Sequence, residues 1–435
     1  MNNLNSIFRC GLIFSIFITL VVNSVESQWL LVPMDTVQKN HLKAYGLTYW
    51  TLETPRNYTA KWLLNFRGGA FLLQSSSDVV QRSKEMGISV EQISDQDYVA
   101  IQQEMDLANM DEILLEKAPK IAVYRPPDDS PYRDPWDDAV KIALEYAEIP
   151  FQSIWDEELI SGTFFTSKYD WLHLHHEDFT GQYGKFYRNY HTADWYIDQQ
   201  KQFESMAIKL GFNSVHNQKK ALAQIIKNYI ANGGFLFAMC SATDSFDIAL
   251  SVINVDAVHS VFDGSGIDNN LNNKIDYNNS LAFTNFEIIT DPMVYEYSDI
   301  DYPQSNNVVV RGAEADYFSL FEFSAKYDPV PTMLTQNHVP VIKGFMGQTT
   351  GFNRERIKKH VLIMGEDRTT PQVKYIHGNH GQGTFTFLGG HDPEDYQHFV
   401  GDPQTDLSLH QNSPGYRLIL NNILFPAARK KERKT

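Results

Sequence analysis

Residues 233–250 read GGFLFAMCSATDSFDIAL, and this stretch decides how the rest of the chain is organised. Phe235, Leu236, Phe237, Ala238 and Met239 form an unbroken apolar run, as expected of a strand covered on both faces inside a parallel sheet. Gly233 and Gly234 end the helix before it. Beyond Cys240, Ser241, Thr243 and Asp244 suit the start of a helix, and Phe246, Ala249 and Leu250 supply its core face. Strand, cysteine, helix is the layout of a nucleophile elbow. That strained turn needs small residues two positions either side, here Ala238 and Ala242. A cysteine at a helix N-terminus also feels the positive end of the dipole, which favours the thiolate. The competing reading is a buried structural cysteine, packed as a small hydrophobe.

The same rhythm extends upstream. Residues 120–124 (KIAVY), 151–155 and 169–174 read as strands. Between the first two, Asp134 and Pro135 suit the N-cap and N1 positions of a helix, with Trp136, Val140 and Leu144 on its buried face. Residues 194–210 and 217–231 read as helices. Leu222, Ile225, Ile226, Tyr229 and Ile230 line one face of the second. Strands alternating with helices predict an α/β fold with a doubly wound, mostly parallel sheet, whose site lies at the carboxyl ends of the strands.

Residues 28–118 form an N-terminal α/β extension: a short apolar run at 29–33, a helix at 38–49, a strand running into a glycine turn at 62–69, then mostly helix. The main domain covers 119–426. It carries an irregular insertion at about 256–310, rich in Asn and Asp. Within it Asp263, Ser265 and Asp268 lack the glycine and final glutamate of a calcium loop, so a solvated loop is expected. Residues 383–388 (GTFTFL) are a strand leading into Gly389, Gly390 and His391. Residues 417–424 are a closing amphipathic helix, and 427–435 a basic tail.

At the other end, Arg9 precedes an apolar run at 10–22 (CGLIFSIFITLVV). It is too short to span a bilayer and suits a signal-peptide core, with residues 1–27 removed. The expectation is an exported protein, periplasmic or secreted, with no membrane span after cleavage. The two cysteines are Cys10 and Cys240, so the mature chain keeps a single thiol and no internal disulfide. The net charge of −16 repels nucleic acid. No Walker-type phosphate loop is present, and no cofactor is implied.

The elbow residues carry a resemblance. Ala238-Met239-Cys240-Ser241-Ala242, followed much later by His391-Asp392-Pro393-Glu394, resembles class I glutamine amidotransferases. In that family a Gly-x-Cys-x-Gly elbow and a later His-Pro-Glu-type motif complete a Cys-His-Glu triad. The resemblance spans about residues 119–426 and implies a flavodoxin-like parallel sheet, with Cys240 and His391 as catalytic pair and Glu394 or Asp392 orienting the imidazole. The whole chain is also similar to exported bacterial proteins commonly called asparagine synthetase B. Their shared stretches are here QKNHLKAYG at 38–46 and HEDFTGQ at 176–182. A true synthetase of that class needs a processed N-terminal cysteine and a Ser-Gly-Gly-x-Asp-Ser loop, and this sequence has neither.

The other dense polar cluster follows the strand at 169–174. His173 and His175 share one strand face and form a weak zinc half-site, against the plainer reading of hydrogen-bonded histidines. In the resembled family the next loop faces the cysteine. His176, Glu177, Thr180, Gly181 and Gln182, with Ser241, are then expected to line the substrate or hold an oxyanion. Residues 344–352 (GFMGQTTGF) read as a lid or an ordinary surface loop. Three functions remain: a thiol hydrolase or amidase acting on a small polar or glycan-derived substrate; a non-catalytic ligand- or carbohydrate-binding module, suited by 22 tyrosines and 7 tryptophans; and, more weakly, a zinc hydrolase.

Overall fold

The computed structural model describes residues 28–126, 138–303, 317–395 and 403–430. The signal peptide expected at 1–27, the Asp134-Pro135 cap with Trp136, and most of the basic tail lie outside the described residues.

Five strands come from the N-terminal region: β1 (Trp29–Val32), β2 (Ala60–Leu64), β3 (Ala70–Gln74), β4 (Glu91–Ile93) and β5 (Asp111–Leu115). They form one sheet in the order β4-β1-β3-β2-β5, antiparallel throughout. The second sheet begins with β6 (Ile121–Tyr124), β7 (Gln152–Ile154), β8 (Trp171–Leu174) and β9 (Phe235–Met239). It continues with β10 (Tyr317–Leu320), β11 (Val341–Lys343), β12 (Phe352–Asn353), β13 (Leu362–Glu366), β14 (Gln372–His380) and β15 (Gly383–Leu388). Its order is β11-β10-β13-β14-β15-β9-β8-β6-β7, with β12 beside β14.

This corrects the expected doubly wound, mostly parallel, flavodoxin-like sheet. Parallel pairing runs only through β7-β6-β8-β9-β15. The remaining pairings of the large sheet are antiparallel. The reason lies in the connections. Helical crossovers join the strands up to β9, which permits parallel neighbours. β14 and β15 are joined by a tight turn through Gly381, at φ +60°, and a tight turn allows only antiparallel pairing. Residues 77–118 carry the expected helices, Ser77–Glu85 and Asp95–Leu107, with the short strands β4 and β5 on either side of the second.

The two sheets share one apolar core. Leu30, Tyr45, Trp62 and Phe71 from the N-terminal region join Val123, Phe237, Met239 and Leu388 of the large sheet. Helices His41–Leu52, Ala139–Ala147 and Pro414–Leu424 fill the space between. Packing there is tight enough that a Cβ at Gly46 would fall 1.8 Å from the Ala147 carbonyl oxygen. Arg417, with no exposed surface, crosses this layer. Its Nε donates to the Tyr45 hydroxyl at 3.0 Å and its guanidinium nitrogens to the carbonyls of Met34, at 3.0 Å, and Gly68.

The opposite face of the large sheet carries a second core. Leu172, Leu236, Ala238 and Phe387 pack there against helices Val215–Ala231 and Ser241–Ser251 and the inserted segment. That segment is irregular as expected, with a single short helix, Ser260–Asp263, among its described residues before the turn at Leu271–Asn273. It is fastened by Asp247, a buried carboxylate accepting the amides of Leu281, Ala282 and Phe283 at 2.7–2.9 Å. Asp263 and Asp268 are engaged within the loop by Ser265 and Lys274. No described helix is long and apolar enough to cross a membrane.

Candidate active site

Cys240 sits between β9 and the helix Ser241–Ser251 at φ 51°, ψ −135°. That region is sparsely populated for a residue with a side chain and costs about 1–3 kcal/mol, which the surroundings must hold in place. They do so through ordinary backbone pairing: the Cys240 amide donates to Leu388 O on β15 at 3.3 Å, and the Ala242 amide to His175 O at 3.2 Å. The strain gives a prediction of unusual sign. Glycine is normally the worse residue at the start of a helix, yet at this φ it is unstrained. Cys240→Gly is expected to be more stable than Cys240→Ala by about 1 kcal/mol or more, measured by urea unfolding. The reverse order would show that the elbow is unstrained.

The sulfur is buried, at 1 % exposure, beneath residues 344–351. The Gln348 amide donates to Sγ at 3.2 Å. Burial pushes the thiol up to about 11, against the pull of the Thr349, Gln348 and Ser241 amides and with the push of the Asp244 charge. The covering loop is itself anchored. Gln348 Nε2 donates to Gly184 O at 2.7 Å, Thr349 Oγ1 to Asp244 Oδ1 at 2.8 Å, and the buried Lys374 ammonium to Thr350 O at 2.9 Å. Gly347 is the point of closest approach: a Cβ there would lie 3.0 Å from both Cys240 Sγ and Gly390 Cα.

His391 is tied to the same loop. Its amide donates to Met346 O at 3.0 Å, and its ring meets His176 edge to face, centroids 5.7 Å apart. Its Nδ1 accepts the Asp392 amide at 2.7 Å, which leaves the hydrogen of the neutral ring on Nε2. The two candidate orienting carboxylates have further partners. Asp392 accepts the amides of Glu394 and Asp395 and the Thr405 hydroxyl. Glu394 pairs with His410 at 3.2 Å. Tyr416 lies beside both; burial raises its pKa, and the Asp392, Glu394 and Asp138 charges add to that.

The loop after β8 is close by, but its amides face inward. Asp178 collects the amides of Thr180, Gln182 and Gly184 at 2.7–2.9 Å. Gly181 packs on His216, whose Cα would be 2.7 Å from an added Cβ. The donors converging on the sulfur are therefore those of Ser241, Gln348 and Thr349, rather than Thr180, Gly181 or Gln182. Glu177 turns back to accept the His175 amide at 2.7 Å, and burial raises it to about 8. His173 and His175 point toward Asp138, at 3.2 and 3.1 Å, and the His175 ring lies 3.9 Å from that of His176. The sequence reading placed Asp244 only at a helix start and Gln348 and Thr349 only in a lid or surface loop, and it did not include Asp138. Only the glycines at 344, 347 and 351 signalled Gln348 and Thr349.

Comparison with known proteins adds little. No family model matches the chain, and no curated protein does. Among solved structures, Cytoplasmic Protein STM3548 from Salmonella typhimurium aligns at 11 % identity and TM-score 0.34, over 72 % of this chain and all of its own. Cytoplasmic Protein STM1381 from Salmonella typhimurium LT2 aligns at 12 % identity and TM-score 0.31, over 71 % of this chain and all of its own. Gan42B, a GH42 beta-galactosidase, aligns at 10 % identity and TM-score 0.25, over 65 % of this chain and 29 % of its own. Likenesses of this size carry neither fold nor function to the chain.

Proposed function

We propose that the protein is an exported cysteine-dependent hydrolase or amidase with Cys240 as nucleophile and His391 as proton carrier, acting on a small polar or glycan-derived substrate. The observation that carries this reading is the strained backbone of Cys240 with backbone amides converging on its sulfur. Strain of that kind persists where a reactive group must be presented. In the reaction, residues 344–351 lift and the His391 ring turns away from the Asp392 amide, freeing an imidazole nitrogen. The imidazole takes the thiol proton, Sγ bonds to the carbonyl carbon, and the Ser241 amide steadies the oxyanion. The proton then passes to the leaving amine, and water releases the acyl group.

The burial of the thiol favours a second reading, a binding module in which Cys240 is inert. The pH dependence of iodoacetamide labelling in the native protein separates the two. In the enzyme, Cys240 labels without denaturant, and His391→Ala slows labelling near neutral pH by about tenfold or more. Labelling that requires denaturation, or that ignores His391, leaves the binding module.

A further inference from the structure

On the side of β8 that faces Phe237 lies a cluster that the proposed reaction does not use, though its His175 ring lies 3.9 Å from that of His176. Asp138 caps the helix Ala139–Ala147, its Oδ1 accepting the amides of Val140 at 2.8 Å and Lys141 at 3.1 Å. His173 Nε2 reaches that same oxygen at 3.2 Å and His175 Nδ1 at 3.1 Å. Four nitrogens thus converge on one carboxylate oxygen, which has lone pairs for about two. All three side chains are buried, at 5 %, 0 % and 2 % exposure.

The hydrogens on His173 sharpen the point. Its Nδ1 lies 3.0 Å from Phe237 O. A carbonyl only accepts, so Nδ1 carries a hydrogen. Nε2 then offers a lone pair toward the carboxylate unless a cation stands between them, either a proton or a metal ion. Nδ1–H bonded to a backbone carbonyl with Nε2 facing a carboxylate is the arrangement that orients metal-binding histidines. His175 faces Asp138 through Nδ1, and its buried Nε2 has no hydrogen-bond partner among the described residues. The ligand atoms of the three residues lie within 4.8 Å of one another. Around a tetrahedral zinc with bonds of about 2.0–2.1 Å, neighbouring ligands sit about 3.3 Å apart, close to the two separations found.

We propose that Asp138, His173 and His175 bind a divalent transition-metal ion, zinc by the ligand set. Two imidazoles and one carboxylate suit that ion and leave a fourth position for water. The ion would replace the two imidazole contacts on Oδ1, leaving the Val140 and Lys141 amides to orient the carboxylate. It would join the start of helix Ala139–Ala147 to the end of β8, one residue before His176.

The test uses the whole chain, stripped with a chelator, reloaded with zinc, desalted, and assayed by elemental analysis and thermal unfolding. Wild type is expected to retain about one equivalent and to melt higher than the stripped protein. Asp138→Asn keeps a good N-cap and so folds, but loses the ion; His173→Ala loses it as well. Cys240→Ala retains it, which separates this site from the thiol. The proposal is overturned if reloaded wild type holds no zinc, if Asp138→Asn holds as much as wild type, or if the ion is lost with Cys240. The first outcome would leave protons between the histidines and Asp138.

Discussion

Gly347→Val is expected to raise the rate of iodoacetamide labelling at Cys240 by about tenfold or more at neutral pH. The reasoning runs from space to charge. A single carbon at this position would lie 3.0 Å from the sulfur and from Gly390 Cα, and valine adds two more. Neither neighbour can retreat. Cys240 is pinned by β15, and Gly390 has φ +86° with Phe345 O within 2.3 Å of any added Cβ. The covering loop must therefore move. Burial is the main reason that the thiol is held up at about 11, so opening the loop exposes the sulfur to reagent and frees more thiolate, partly offset because the Gln348 and Thr349 amides leave with the loop. An unchanged rate in a folded variant would mean that something other than residues 344–351 shields the sulfur.

The second large effect is on stability. Arg417→Ala is expected to cost at least about 4 kcal/mol in denaturant unfolding, with the chain unfolding at physiological temperature if its margin is ordinary. The substitution orphans the Gly68 carbonyl in the core, worth about 1–3 kcal/mol, and leaves the Met34 carbonyl only the His41 ring at 3.1 Å. It also removes the donor to Tyr45 and leaves a cavity where a fully buried side chain stood. Arg417→Lys should recover only part, since one ammonium cannot reach partners arranged for a planar fork. A loss below about 1 kcal/mol would mean that water replaces the guanidinium and that this layer is less dry than it looks.

How much of this was legible in the sequence differs by element. β9 and its turn were plain, because an all-apolar strand bounded by glycines and a helix start has few other readings. The antiparallel half was not. β14 buries Lys374 and His377, the lysine donating to the Phe345 and Thr350 carbonyls, so its polar residues gave no clean alternation. β4 and β5 sit at the edges of their sheet and carry exposed or half-buried acids, which read as helix surface. At the site, Cys240 announced itself through its neighbours. The Gln348 and Thr349 amides did not, since a backbone N–H has no signature in the side-chain alphabet. Asp138 was hidden by distance, lying 35 and 37 positions from its histidines.

The clasp made by Arg417 sets an order on how the molecule can be made. The first segments of the chain, at Met34, Tyr45 and Gly68, wait for a side chain near the very end, and Ala428 then bridges to Leu115. A ribosome delivers these pieces in sequence, so the shared core stays open until the last helix has emerged. Closing this core is therefore expected to be a late step that joins segments far apart in sequence, the kind of contact that slows folding.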